Sequence, residues 1–321
     1  MGNQVLLSDV LKDYTVAKPE PLIGSETIQI ILMREILDFT VLRTEETREL
    51  NTVATPCSVL LPNQNVMRVA FLGSKQKAAE SRQLEQILRT ATKKADIACP
   101  VCYLKDNLCL SCPRCALFGA TNTESGRQER SNIKHRIEYS TAYSLFPFED
   151  VEYSMTFNAI NDLNQSTGQA LGTRYTVRPA TVFPSIITLR SVTLTEFIFT
   201  IKTLLSCKSY GAESRIGGDI RNSIFGIVAG WEEVITALEL TLELFDSKDK
   251  ITGDTVKKIV EKYLPLAGNP DQVRIFTPDE VDAIVQQAAD VKLSKEFLES
   301  AYEDVAQYRN LQKETGRRRS R

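Results

Sequence analysis

The sequence has little of what many enzymes depend on. It contains one histidine among 321 residues, so it cannot build a metal site from several histidines. It has no phosphate loop of the form GxxxxGK[ST] and no HExxH motif. No apolar run approaches the roughly 20 residues that span a bilayer, and the N-terminus has no signal-peptide pattern. These absences favour a soluble, non-enzymatic protein of the cytoplasm with no membrane partner.

The nearly neutral net charge of −2 conceals an uneven distribution of charge. Residues 68–136 contain 13 Lys and Arg against 6 Asp and Glu, an excess of seven positive charges. Residues 172–221 contain 7 against 3, an excess of four. Such clustering is typical of proteins that bind nucleic acids, although an ordinary solvated surface can also produce it.

Hydrophobic patterning predicts alternating strands and helices up to about residue 250. A helix is expected to begin after Thr193, because Thr193 and Glu196 have the spacing of a capping box. The predicted strands are 27–37, 57–62, 66–73, 151–160, 185–192 and 223–230, and the predicted helices are 76–92, 194–206 and 234–245. Their order favours an α+β fold with a split βαβ sheet of ferredoxin or RNA-recognition (RRM) type, carrying long insertions.

The pattern changes after residue 250. Thr277 is a predicted helix cap, followed by Pro278 and Glu280 at the first and third helical positions. A second helix follows, and the sequence ends in GRRRSR, a basic tail that we expect to be mobile. We therefore divide the chain into an RRM-like unit, residues 1–250, and a C-terminal helical segment, residues 251–321.

Five of the seven cysteines lie between residues 99 and 115. Cys99 and Cys102 form one CPxC knuckle, and Cys112 and Cys115 form a second. Two such knuckles supply the four thiolates of a closed, structural zinc site. Cys109 could replace one member of the set, and an iron–sulfur cluster is the alternative metal group. Disulfides are disfavoured because cytoplasmic thiols stay reduced.

Basic residues also occur beside glycines, aromatic residues and small polar residues in three segments. Arginine and lysine bind phosphates, while tyrosine and histidine stack on bases, so this mixture is typical of proteins that bind single strands. The candidate RNA-binding residues are Lys134, His135, Arg136, Arg174, Tyr175, Arg178, Lys208, Tyr210, Arg215, Arg221 and Asn222.

Three segments, CPRCALFG, HRIEYSTAYSL and SYGAESRIGGDIRN, together resemble the backbone subunits of subtype I-D CRISPR surveillance complexes. This is the Csc-two family of the Cas-seven superfamily, and the resemblance covers about residues 25–250. It implies a modified RRM palm with an inserted, zinc-binding finger, about residues 68–136, and a thumb. It also implies that several copies stack head-to-tail along one CRISPR RNA, with other subunits of the complex, and present that guide to a target DNA strand in antiviral defence.

Two other functions remain open from the sequence. Related subunits of type III complexes cleave RNA with an acidic residue after the first strand, and Asp38 has a comparable position, which suggests a metal-dependent RNA endonuclease. A second enzyme hypothesis is a zinc enzyme in which Cys109 marks an exchangeable ligand set. The other hypothesis is a regulator that binds duplex DNA through a zinc ribbon, although no helix-turn-helix pattern is evident.

Overall fold

The computed structural model describes residues 6–42, 49–103, 107–121, 132–160, 163–164, 166–211, 218–247 and 250–319. In these ranges the helices are α1 (Leu7–Leu11), α2 (Gly73–Lys94), α3 (Pro113–Phe118), α4 (Phe148–Val151), α5 (Leu194–Ser206), α6 (Ala237–Asp246), α7 (Gly253–Tyr263), α8 (Pro278–Asp290) and α9 (Lys295–Arg319). The strands are β1 (Thr27–Ile36), β2 (Thr52–Pro56), β3 (Asn65–Phe71), β4 (Ala120–Thr121), β5 (Asn132–Ile133), β6 (Ile137–Tyr139), β7 (Ala142–Tyr143), β8 (Glu152–Ile160), β9 (Thr167–Val177), β10 (Val182–Arg190), β11 (Ile220–Gly230) and β12 (Arg274–Ile275).

The main sheet has five strands in the order β12-β11-β1-β10-β6, and every neighbouring pair is antiparallel. Along the chain its principal elements follow one another as β1, α2, β6, β10, α5 and β11. That order is the β-α-β-β-α-β arrangement of ferredoxin-like folds. The predicted α+β fold with long insertions is therefore confirmed.

Strand β1 is buried on both of its faces, as its richness in β-branched and other apolar residues predicts. Ile28 and Ile30 pack in one core with Leu84 of α2 and Phe197 of α5. The alternate residue Ile31 packs in another core, among side chains of α6 and α7. Side chains alternate between the two faces of a strand, so the sheet lies between two layers of helices.

This covering limits where a large ligand can bind. Helices α2, α5 and α8 pack on one face, and α6 and α7 pack on the other. An RNA strand cannot lie on the face of the sheet over these helices, and it can approach only the ends and edges. The fold differs from a simple RRM because helices cover both faces of its sheet.

The loop after β1 lies between two insertions at one end of the sheet. Leu37 donates its N–H to the carbonyl of Asp219 at 2.8 Å, next to β11. Thr40 forms a β-bridge with Val177 at the base of the β8–β9 hairpin. We call this region the Ile36 end of the sheet. At the opposite end, Thr27 pairs with Arg190 and Gly230, and we call that the Thr27 end.

The structure departs from the predicted elements at several places, including residues 57–62 and strand β9. Residues 57–62 are a loop, and the exposed fractions of Val59, Leu60 and Leu61 are 43%, 76% and 45%. The predicted strand there is wrong, because these apolar side chains have no core to face. Strand β9 was not predicted, since its sequence TGQALGTRYTV lacks a run of large apolar residues.

The C-terminal helices share the main core. Ile284 of α8 and Leu298 of α9 pack among residues of β1, α2 and α5. The predicted capping box of Thr277 and Glu280 is present at the start of α8. Helix α9 continues to Arg319, so most of the basic tail is helical. No helix within the described ranges is long and apolar enough to cross a membrane.

Candidate metal centre and nucleic-acid interface

Four cysteine sulfurs come together in the finger. The Sγ atoms of Cys102, Cys109, Cys112 and Cys115 all lie within 4.8 Å of one another. The Cys102 sulfur is 3.5 Å from that of Cys115 and 3.8 Å from that of Cys112. Tetrahedral zinc with Zn–S bonds of about 2.3 Å places its sulfurs about 3.8 Å apart. The donor set and its spacing therefore fit a four-thiolate metal site.

Local backbone structure directs these thiols inward. Cys112 caps α3, and its Sγ accepts a hydrogen bond from the N–H of Cys115 at 3.5 Å, with Pro113 at the first helical position. Leu110, which follows Cys109, has a φ of 58°, in the left-handed region. Hydrogen bonds from Cys102 and the other neighbouring thiols lower the pKa of Cys109. A thiolate is the form that binds metal.

The group of four cysteines in the structure differs from the predicted ligand set by one residue. Cys99 lies outside the group of four, and its sulfur is 3.3 Å from the hydroxyl of Thr92. Cys109 takes its place, so the second half of the site is the overlapping run Cys109, Cys112 and Cys115. All of these cysteines are free thiols.

The cysteine group joins the segment between α2 and β6 to two helices, α2 and α9. Arg89 of α2 donates to the carbonyl of Cys102 at 2.5 Å, and Arg114 donates to the Ser81 hydroxyl of α2 at 2.7 and 2.9 Å. Tyr308 of α9 packs in the same apolar cluster as the cysteines. Four protein thiolates leave no open position for substrate, so a metal here would hold these elements together.

Arg136 is buried, which corrects its prediction as an RNA-binding residue. It is 1% exposed and forms a two-pronged ion pair with Glu196 of α5, with one contact at 2.7 Å. Its guanidinium also donates to the carbonyl of Ser191 at 3.1 Å. The side chain fastens β6 to the start of α5 and cannot reach a phosphate.

Tyr210 and Asn222 are also interior, and their prediction as RNA contacts is corrected for the same reason. Tyr210 donates to Glu80 at 2.7 Å, and the Asn222 amide donates to the Tyr210 hydroxyl at 2.8 Å. Arg34 completes this network, with its guanidinium 2.7 Å from Glu80 and 2.9 Å from the Asn222 oxygen. Burial and the charge of Glu80 raise the pKa of Tyr210 well above its usual value.

Several other predicted residues are exposed around the Ile36 end. Arg221 follows the first residue of β11 and pairs with Glu35 at the surface. Lys208 is exposed, and its carbonyl accepts the N–H of Ile220 at 2.8 Å. Arg178 is exposed beyond β9, where its Nε donates to the carbonyl of Glu152 at 2.8 Å. Arg174 and the 39%-exposed Tyr175 lie further along the same hairpin. Lys208 and Arg221 lie beside Ile220, and Arg178 follows Val177, so these three residues lie near the loop after β1.

Lys134 and His135 do not join this group. They precede β6, whose Ile137 pairs with Leu189 near the Thr27 end. Lys134 is exposed and His135 is half-buried; burial and the nearby charge of Lys77 lower the pKa of His135. The remaining predicted residue, Arg215, lies outside the described residues.

Asp38 shows no catalytic grouping. Its side chain is exposed, and Oδ1 accepts the N–H of the next residue, Phe39, at 2.7 Å. In the part of the chain that the structure describes, the cysteine group is the one set of three or more His, Cys, Asp or Glu placed to hold a metal. Nothing in the structure favours the endonuclease alternative.

Sequence reasoning missed an aromatic contact at the Ile36 end. The rings of Phe39 and Tyr153 lie 4.8 Å apart at 34°, and the Arg178 guanidinium lies 5.7 Å from the Tyr153 ring centre. Tyr153 belongs to a strand predicted from its alternation, but its 42% exposure is not visible in that pattern. Phe39, its contact partner, belongs to no sequence motif that would have indicated this contact.

Comparison with solved structures shows the same fold elsewhere. The crystal structure of Thermofilum pendens Csc2 superposes with a TM-score of 0.66 at 21% identity, over 95% of this chain and 96% of that one. A chain of a CRISPR RNA-guided surveillance complex superposes with a TM-score of 0.52 at 11% identity, over 82% of this chain and 99% of that one. A chain of such a complex in a pre-nicking state gives a TM-score of 0.52 at 10% identity, over 82% and 100%.

Sequence comparison supplies the family. No curated protein matches the chain. The sequence model of the Csc2 family of CRISPR proteins, however, matches residues 16–318. Because that match covers nearly the whole sequence, the chain belongs to the Csc2 family of CRISPR proteins.

Proposed function

We propose that the chain is a backbone subunit of a subtype I-D CRISPR RNA-guided surveillance complex, in which it binds the guide RNA. The observation that carries this proposal is family membership over residues 16–318. Csc2 of Thermofilum pendens and a chain of a CRISPR RNA-guided surveillance complex share its fold. In such complexes base pairing supplies sequence specificity, so the protein needs only to hold the guide and present it to a target DNA strand.

The arrangement of exposed cations supports RNA binding at the Ile36 end. Helices cover both faces of the main sheet, whereas Arg178, Lys208 and Arg221 remain exposed around the loop after β1. Cationic side chains on one surface bind a phosphate backbone without reading its sequence. We assign the guide contact to these three residues with Arg174 and Tyr175. Lys134 and His135 lie near the Thr27 end, away from these residues, and are not part of this assignment.

We assign a structural zinc ion to Cys102, Cys109, Cys112 and Cys115. The ion would fix the segment between α2 and β6 against α2 and α9. It would supply no catalytic step, because four thiolates close its coordination shell. The thiols would remain available for the metal in the reducing cytoplasm.

Several copies would stack head-to-tail along one guide, beside other subunits of the complex. A head-to-tail interface joins two different surfaces of each copy, so it can extend without closing. The excess of positive charge in 68–136 and 172–221 and of negative charge elsewhere in the sequence supports contact between surfaces of opposite sign. We also propose that the subunit does not cleave RNA, since Asp38 belongs to no group of three or more potential metal ligands among the described residues.

The experiment that tests this function measures RNA affinity of the full chain by fluorescence anisotropy. We expect Arg178→Ala, Lys208→Ala and Arg221→Ala each to weaken binding of unrelated single-stranded RNAs by the same factor. Each should reduce the slope of log K against log salt by about 0.7, the effect of one lost phosphate contact on a single strand.

The matched control is Lys292→Ala, which removes an exposed lysine between α8 and α9. Its RNA affinity should equal that of the unmodified chain. Equal losses in the control and the three variants, or losses for one RNA sequence alone, would contradict the assigned surface. Cleavage of end-labelled RNA by the chain, abolished by Asp38→Ala, would restore the endonuclease reading.

A further inference from the structure

A groove of about 730 Å³ lies between α2 and the segment that joins α8 to α9. Its residues on α2 recur every three or four positions from Gln83 to Lys94, so one face of that helix lines it. These two residues are about 16 Å apart along the helix axis, which is three turns. The groove, which we call the α2–α9 groove, therefore has the length of a short helix.

The floor of the α2–α9 groove is aliphatic and firmly supported. Ala91 and Leu293 are half-buried and pack against the main core, and Ile87 lies one turn before Ala91 on the same face of α2. Leu88 and Leu298 anchor α2 and α9 in that core and are 1% and 0% exposed. A groove formed by two anchored helices is preorganised, so little free energy is lost in ordering it when a partner binds.

Charge and residue type decide which class of molecule the groove fits. Lys94 and Lys295 line its edges, whereas none of its described lining residues is an aspartate or a glutamate. Lys94 is exposed, and Lys295 reaches Glu299 of its own helix at 3.9 Å. The described lining also contains no aromatic ring and no arginine, the groups on which RNA bases stack. An aliphatic floor with cationic edges instead fits an amphipathic helix that carries carboxylates beside its apolar stripe.

The chain's own helices α6, α7 and α8 cannot supply this partner. Their apolar stripes are already buried in the cores of the chain, and Leu240 of α6, Val256 of α7 and Ile284 of α8 are at most 2% exposed. A second copy would have to unfold these helices in order to offer one of them.

We propose that the α2–α9 groove binds an acidic, amphipathic helix of a different protein subunit. This inference rests on the proposed membership of a multi-subunit complex, and it adds a docking site for one of the other subunits. The edge lysines would pair with carboxylates of the bound helix, while its apolar stripe would cover the aliphatic floor.

The first test measures the binding of two synthetic peptides to the full chain by fluorescence anisotropy. Both peptides are stapled helices of about four turns with one leucine stripe; one carries glutamates beside the stripe and the other carries lysines. The glutamate peptide should bind about tenfold more tightly. In the double variant Lys94→Glu, Lys295→Glu the preference should reverse, because both edge charges change sign. Lys93→Glu, on the same helix but outside the groove lining, is the matched control and should keep the original preference.

The second test identifies the occupant in the purified complex. With p-benzoylphenylalanine in place of Gln86, an exposed residue of the groove, we expect light-induced cross-links to an acidic helix of another subunit, located by mass spectrometry. Cross-links to RNA or to a second copy, or no cross-link, would overturn the inference. Equal binding of the two peptides, or no binding of the glutamate peptide, would overturn it as well.

RNA affinity separates this inference from the proposed function. The double variant should bind single-stranded RNA as tightly as the unmodified chain, because neither lysine belongs to the assigned guide contact. If the unmodified chain binds no RNA but shows the predicted peptide preference, the guide-binding function fails and the docking site stands. If RNA binds and the peptides show no preference, the docking site fails and the function stands.

Discussion

Replacing Arg136 by alanine distinguishes a fold-stabilising arginine from an RNA-binding one. In sequence, Arg136 lies in the basic motif KHR and resembles a phosphate contact. In the structure it is buried against Glu196, which also accepts the N–H of Thr193 at 3.0 Å as part of the α5 capping box. Arg136→Ala would leave the Glu196 carboxylate buried without its cation.

The magnitude follows from this burial. Removing one partner of a buried ion pair costs about 3–5 kcal/mol of the free energy of unfolding. With about 2.1 cal/mol/K of unfolding entropy per residue, a chain of this length has about 0.67 kcal/mol/K, so Tm should fall by about 5–8 °C. Arg221→Ala removes an exposed pair with Glu35, with the arginine side chain 55% exposed. A surface pair contributes about 1 kcal/mol at most, so its Tm should fall by less than about 2 °C.

Two assays on the same pair of variants test the reasoning. Differential scanning calorimetry measures Tm, and anisotropy below the transition measures RNA affinity. Arg136→Ala should lose stability while its folded fraction keeps the RNA affinity, and Arg221→Ala should lose affinity while keeping Tm. The reverse pattern, with a stable Arg136→Ala that no longer binds RNA, would refute the structural role of Arg136.

Three further predictions follow from other buried groups. Cys109→Ser should lose most of the bound zinc, measured by elemental mass spectrometry, whereas Cys99→Ser should keep it. The opposite result would support the ligand set predicted from the two CPxC knuckles, which contains Cys99. Glu80→Gln leaves the fully buried Arg34 without its counter-charge. It should lower the free energy of unfolding, measured by urea titration, by about 3–5 kcal/mol. A loss below about 1 kcal/mol would show that the ion pair contributes little to stability. Burial, with a smaller contribution from Glu80, raises the pKa of Cys207 to about 11, so at pH 8 its thiolate is roughly 200-fold rarer than for an ordinary cysteine. Peptide mapping after alkylation of the native chain should find Cys207 unmodified at pH 8 and reactive only as the pH approaches 11; rapid modification at pH 8 would contradict its burial.

The fold could be predicted because its signals are local. A run such as TIQIILMREI allows few structures other than a buried strand, and Thr193 with Glu196 specifies a helix start within four residues. Strand β9 could not be predicted in the same way. It pairs with β8 and lies outside the main sheet, so it does not need the apolar sequence by which buried strands are recognised.

The site was less predictable because its environment comes from distant residues. Arg136 meets Glu196, which is 60 positions away, and Tyr210 meets Glu80 at a distance of 130 positions. A basic motif read alone cannot reveal such partners, so buried and exposed cations look alike in sequence. The cysteines show the same limit, because the CPxC spacing does not reveal that Cys109, and not Cys99, lies with the other three sulfurs.

The most direct test of the account counts the copies of the full chain on RNA by native mass spectrometry. The RNAs would be unstructured single strands of two lengths, one twice the other, with duplex DNA of equal length as the comparison. A guide-coating subunit should load about twice as many copies on the longer RNA and few on the duplex. One copy per RNA at both lengths, or preferential binding to the duplex, would contradict the proposed backbone function.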